Sequence, residues 1–189
     1  MPTLTPDETL REIETGQLAP IYLVLGDDDQ EKAEVANAFE WAVDEGLRAF
    51  CIDRFDGSEV TLGKILEAAR TLPMMAPRRL VIVQRLERCL MAKRESPTAT
   101  AEQEAFEAYV ESPYPHVTLV LVANGLDKRR NAVKRLLRAA TIVSCGVVTS
   151  LADAERWVRR RVSAEGRSLD LAAARLMAAS VGPNLARLR

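Results

Sequence analysis

Four short apolar runs, residues 21–25, 80–83, 118–122 and 141–145, constrain the fold of this chain more than any other feature. Each is about five residues long and mostly apolar, which is how a buried strand reads. A weaker run over residues 49–55 predicts a fifth strand. Between the runs lie stretches of helical period. Val35, Phe39, Ala42 and Val43 form one apolar stripe, and Ile65, Leu66 and Ala69 a second. Ala105, Phe106, Tyr109 and Val110 form a third, and Val133, Leu136 and Leu137 a fourth. Strands alternating with amphipathic helices predict an α/β fold, a parallel sheet doubly wound with helices on both faces. After Gly146 the strand character disappears. Residues 152–165, a turn at Gly166 and residues 171–180 read as helices, so a small all-helical unit is expected after the sheet domain. The boundary is placed at 147/148, giving a sheet domain over 1–147 and a partial helical domain over 148–189. A last helix begins near Asn184 and the sequence stops at Arg189 without a closing signal, so the helical domain is expected to be truncated.

Residues 22–33, YLVLGDDDQEKA, have the outline of a phosphate-binding loop: an apolar strand, Gly26, Lys32 at P-loop spacing, and a helix. The residues that do the chemistry are missing. A second glycine is needed for close backbone approach and a hydroxyl for magnesium, and these positions hold Glu31 and Ala33. Asp27, Asp28, Asp29 and Glu31 would also repel a polyanion at short range. One of the three aspartates is expected to cap the helix instead. The strand at 80–83 runs into Gln84 and Arg85, where an active site of this kind carries a magnesium-binding carboxylate. Glu87 stands three residues too late. The expected site is therefore a degenerate nucleotide pocket, Gly26, Glu31, Lys32 and Ala33, with no cofactor, no metal and no catalytic residue.

Composition fits a cytoplasmic protein with specific protein partners. The chain has 189 residues, 48% apolar and 28% charged, with a net charge of −1, which argues against disorder and against bulk attraction to nucleic acid. The first residues, with Asp7, Glu8, Arg11 and Glu12, contain no apolar run that could be a signal peptide or membrane span. Cys51, Cys89 and Cys145 are odd in number and lack C-x-x-C spacing, so they read as free thiols rather than as a disulfide framework or zinc site.

The order and spacing of five segments resemble one family. They are APIYLVLGDD near the start, FDGSE over 55–59, ARTLPMMAPRRLVIVQ over 69–84, LVLVANGLDKR over 119–129 and WVRRRVSAEG over 157–166. Together they resemble the delta subunit of bacterial DNA polymerase III, the clamp-loader component that opens the sliding clamp. The resemblance covers about residues 19–187. It implies an AAA+-like first domain of the P-loop NTPase type, most of a lid-type helical domain, and a third, collar domain that this sequence lacks. It implies no ATPase activity of the chain itself, but membership of a DNA-directed DNA polymerase holoenzyme, a nucleotidyltransferase. The partners it implies are the sliding clamp (the beta subunit), the other loader subunits and, indirectly, DNA, with no membrane. In the family the clamp is gripped by adjacent large apolar residues within a segment like S-L-F-A-S-R. That segment aligns with Pro73, Met74, Met75, Ala76, Pro77 and Arg78, which puts Met74 and Met75 at the gripping positions. Methionine is flexible and suits an apolar pocket, and the two prolines set the segment apart from the regular helix before it.

Other features are less specific. Lys128, Arg129, Arg130 and Lys134, with Arg135 and Arg138, lie on the solvent side of the fourth helical stripe; they read first as a solvated face and second as a contact for DNA or another subunit. Arg156, Arg159, Arg160 and Arg161 surround Trp157, read as a buried anchor. His116 has no Ser or Cys partner in a recognisable motif. Asn124 follows a strand end and is expected to cap the turn at Gly125. Two rival functions stay open: an active P-loop nucleotide-binding enzyme using Lys32, and a DNA-binding module without a clamp partner.

Overall fold

A computed structural model describes residues 3–73, 76–91, 96–146 and 150–182. The chain divides into two compact units, Met1–Cys145 and Gly146–Arg189. The larger is built on a six-stranded, wholly parallel sheet of β1 (Thr3–Leu4), β2 (Ile21–Gly26), β3 (Ile52–Asp56), β4 (Arg79–Gln84), β5 (Val117–Val122) and β6 (Thr141–Cys145), in the order β1-β6-β2-β5-β4-β3. The four strong apolar runs are the four central strands. All six residues of β5 are buried, because helices cover both sides of it.

Alternate residues of each strand feed two cores, as the two-residue period of a strand requires. Ile21 and Leu23 of β2, with Val81, Val83, Leu119 and Leu121, pack beneath α4 (Leu62–Arg70), α5 (Leu86–Leu90), α6 (Pro97–Glu111) and α7 (Asn131–Ala139). Tyr22, Val24, Ile82, Val120 and Val143 face the other way, against α1 (Pro6–Thr15), α2 (Asp29–Ala38) and α3 (Arg48–Cys51).

Three local expectations change. The weak run over 49–55 becomes strand only from Ile52, because Arg48–Cys51 forms a helical turn that buries Cys51. The first stripe does not stay on one α-helix: α2 ends at Ala38, Phe39–Ala42 continues as 3₁₀-helix, and Val43 is extended. Phe39 still reaches the core, with its ring centroid 4.7 Å from that of Tyr22. The third is α1, which sequence patterning did not single out. Thr5 and Glu8 form a reciprocal capping box with Pro6 in the first turn, and Gly16 closes the helix at φ 70°.

In the second unit, α8 (Leu151–Ala164) begins with a capping box between Ser150 and Asp153, and α9 (Leu171–Val181) is capped by Asp170. Ala154, Trp157 and Val158 of α8 are buried, as are Ala174 and Ala178 of α9. Arg175 and Glu155 join the two helices in an ion pair at 3.2 Å. Residues 183–189, where a last helix was expected to begin, lie outside the described residues. Among the described residues, no helix is long and apolar enough to cross a membrane.

Candidate functional site

In an open α/β sheet the binding crevice lies at the carboxyl ends of the strands, where neighbouring strands send their connections to opposite faces. Here that point is between β2 and β5: β2 runs into α2 on one face and β5 into α7 on the other. The residues of the degenerate loop gather there.

Lys32 is the centre of the arrangement. It projects from the first turn of α2 and is only 2% exposed. Its ammonium donates to the Asn124 side-chain oxygen just beyond β5 and pairs with Asp29 Oδ1 at 2.9 Å. Asn124 therefore does not spend its side-chain oxygen on the Gly125 turn, as sequence suggested; it accepts from a lysine 92 residues earlier in the chain. The three aspartates separate by role. Asp28, 3% exposed, is the helix cap, its Oδ1 accepting from the N–H groups of Gln30 and Glu31 at 3.0 Å each. Asp29 pairs with Lys32, and Asp27 is exposed. The backbone donors that a phosphate would use at the start of a helix are thus bonded to the protein's own carboxylate. Glu31 is buried and Ala33 exposed.

Gly26 is present for a reason of packing. At φ 138°, it lies so close to β6 that a Cβ would stand 1.7 Å from the Cys145 carbonyl oxygen. Only glycine fits.

Beyond β4, Arg85 takes the left-handed conformation at φ 53°, ψ 44° and starts α5. This reversal brings Glu87 back toward the strand ends, where its Oε2 accepts from the Asn124 N–H at 3.4 Å. Glu87 is therefore not too late in sequence to reach the crevice; it sits there bonded to backbone. Arg85 itself turns outward and clasps Asp56 at the end of β3, with its Nε 3.0 and 2.9 Å from the two carboxylate oxygens. That guanidinium, with the Ser58 hydroxyl and N–H, lowers the Asp56 pKa to about 2. Among the described residues, no buried side-chain nitrogen or oxygen lacks a hydrogen-bond partner.

The described residues that flank the other predicted segment lie at the opposite end of the sheet. Met74 and Met75 lie outside the described residues. Around them, Leu72 is 64% exposed, and Leu72, Pro73, Ala76, Pro77 and His116 line an open hollow of ≈ 560 Å³.

The basic residues do not act as one group. Arg130 donates to the Leu90 carbonyl, and Arg135 pairs with Glu107 and Glu111 of α6, so both are taken up in packing. Lys128 and Lys134 are exposed, and Arg129, 96% exposed, stands 3.9 Å from Asp127. Cys51 and Cys145 are buried thiols. Cys89 is half-buried, its thiol donating to the Gly57 and Val60 carbonyls at 3.3 and 3.4 Å, and burial pushes its pKa up to about 11.

The family profile for the DNA polymerase III delta subunit matches residues 22–146, which includes the whole of this crevice. The chain belongs to that family. The delta subunit of Bacillus subtilis is 29% identical over 133 residues, an alignment that takes in 69% of this chain and 38% of that protein. The solved structure of the Bacillus subtilis DNA clamp loader delta protein superposes with a TM-score of 0.71 at 22% identity, covering 97% of this chain and 54% of that one. A gamma subunit-related protein of Thermotoga maritima shares the fold, with a TM-score of 0.54, 19% identity and 95% and 58% of the two chains covered. The α/β, AAA+-like architecture expected of a delta subunit is the one this chain has. It spans 38% of the curated relative and 54% of the solved delta protein.

Proposed function

We propose that this chain is the clamp-gripping part of a clamp-loader delta subunit, and that it works by binding alone. The observation that carries the reading is the buried Lys32, held by Asn124 and Asp29 in a crevice whose helix donors are bonded to Asp28. A nucleotide would have to displace carboxylates and break those bonds to enter. Membership of the delta family supplies the other half of the argument.

Gripping falls to Met74 and Met75. Two adjacent apolar side chains offered by a proline-flanked segment are suited to a hydrophobic pocket on the sliding clamp. Opening follows from differential affinity: a surface that fits the opened clamp better than the closed ring shifts the population toward the open form, with no bond made or broken. The larger unit presents the grip and the helical unit is of lid type; in the complete subunit a collar joins the other loader subunits in the cytoplasm. DNA is met through the assembly, with Lys128, Arg129 and Lys134 as the exposed cations for phosphate contact.

The test is a calorimetric titration of the chain against the sliding clamp of the same organism, with the double substitution Met74→Ala and Met75→Ala alongside. Binding by the native sequence and its loss in the folded double variant support the reading. Equal affinity for both, or magnesium-dependent ATP binding that Lys32→Ala abolishes, overturns it.

A further inference from the structure

The segment that leads from α4 to β4 is fastened at its base by two consecutive arginines that reach in different directions. Among the described residues, Thr71 makes the last backbone hydrogen bond before it, to the Ala68 carbonyl at 3.1 Å, and Arg79 the first after it, to the His116 carbonyl at 2.8 Å. Pro73 and Pro77 have no N–H to give. Arg79 is already fixed by its place in the ladder opposite Val117, and its guanidinium adds bonds to Asp53 at 2.7 Å and to the Phe50 carbonyl at 3.2 Å. Arg78, one residue earlier, stands outside the strand. Its guanidinium donates to the Thr118 hydroxyl at 2.7 Å. Thr118 is fully buried, and its O–H donates to the Ala19 carbonyl at 3.3 Å. The Ala19 N–H in turn donates to the Tyr22 hydroxyl at 3.0 Å, and that hydroxyl to Glu12 of α1 at 2.5 Å. A relay of polar groups thus runs from Arg78 into the core.

We propose that Arg78 is a positioning residue for clamp binding, tying the residues that lead into β4 to the sheet through Thr118. This rests on the clamp-gripping reading above. A binding segment that is fixed before the encounter loses less freedom on docking than one ordered by it, so loosening its base weakens affinity without removing any contact to the partner. An arginine suits the task because its planar guanidinium locks in orientation once bonded.

The experiment compares clamp affinity and urea unfolding for the native chain, Arg78→Met, Thr118→Val, the two combined, Arg78→Lys and Asp28→Ala. Arg78→Met and Thr118→Val are each expected to weaken clamp binding about tenfold, and the pair no more than either alone, because they cut the same link. Arg78→Lys should recover part of the loss, since an ammonium still reaches the hydroxyl. Asp28→Ala, at the other end of the sheet, should lower stability and leave clamp affinity unchanged. Native affinity in Arg78→Met, additive losses, or an equal loss in Asp28→Ala would overturn the assignment. Thr118→Val decides the matter if Arg78→Met does not fold. No clamp binding by the native chain overturns the gripping function itself, a result distinct from failure of the positioning role.

Discussion

The Lys32 ammonium and the Asn124 side-chain oxygen meet between β2 and β5, at the place where an active relative of this fold would hold phosphate. The bond joins α2 to the segment after β5, and Asp29 completes it from the solvent side.

Breaking that link should destabilise the larger unit by amounts that reveal its internal coupling. Asn124→Ala leaves Lys32 with Asp29 and should cost about 1 kcal/mol, whereas Lys32→Ala removes a buried, bonded cation and should cost about 2–3 kcal/mol. The double variant should fall short of the sum by at least about 0.5 kcal/mol. Urea unfolding measures all three. Adding magnesium and ATP to the native chain should leave the midpoint where it is, because only a ligand of the folded state raises it; a rise would mean that the crevice admits nucleotide.

Glycine at position 26 should be indispensable. Gly26→Ala puts a methyl group 1.7 Å from the Cys145 oxygen in a backbone conformation that L side chains avoid, so a loss of about 4 kcal/mol or more, or no soluble protein, is expected. Gly125→Ala is the matched comparison, since nothing lies within 4 Å of its added carbon, and its effect should stay within about 0.5 kcal/mol. Circular dichroism during urea titration separates the two.

Acid should expose the Arg85–Asp56 clasp. With its pKa lowered to about 2 in the folded chain, Asp56 binds its proton less readily than in the unfolded chain, where it titrates near about 4. Its contribution to stability is therefore full above about pH 4 and disappears as pH falls through about 2. Carbon-detected NMR titration of the Asp56 carboxyl should find the low midpoint, and Arg85→Met should return it toward the ordinary carboxylate range. A native midpoint near 4 would contradict the clasp.

The helical unit depends on small residues where its two helices meet. Ala174 is fully buried and Ala178 is 1% exposed, so there is no room for a larger side chain without moving a helix. Ala174→Leu should cost about 1–3 kcal/mol by overpacking, read from thermal unfolding followed by circular dichroism. An unchanged or higher melting point would mean that the contact is looser than it stands.

Much of this architecture was legible because burial on both faces leaves a continuous apolar run, as in β2, β4 and β5, while β6 alternates buried and half-buried residues around Ile142, Val143 and Cys145. β3 was blurred for the opposite reason. It is an edge strand, and its Asp53, Arg54 and Asp56 are tolerated because Arg79, Glu40 and Arg85 pair with them, partners that lie 14 to 29 residues away. The short β1 offers too few residues for any period, although the T-P-D-E run at Thr5 to Glu8 was a readable signal for α1. At the crevice, the substitutions at Glu31 and Ala33 were visible as departures from a loop pattern. What could not be read was the destination of Lys32. A lysine beside acids reads as a surface pair, and only the sheet order brings Asn124 to it.

A lysine bonded on two sides within its own chain works as a strut. An engine that burns fuel must let go of its spent product before the next stroke, and its shape records where it is in that cycle. In this chain the same place is bridged by Lys32, Asn124 and Asp29, so that α2 and the end of β5 are held together by side chains of the chain itself.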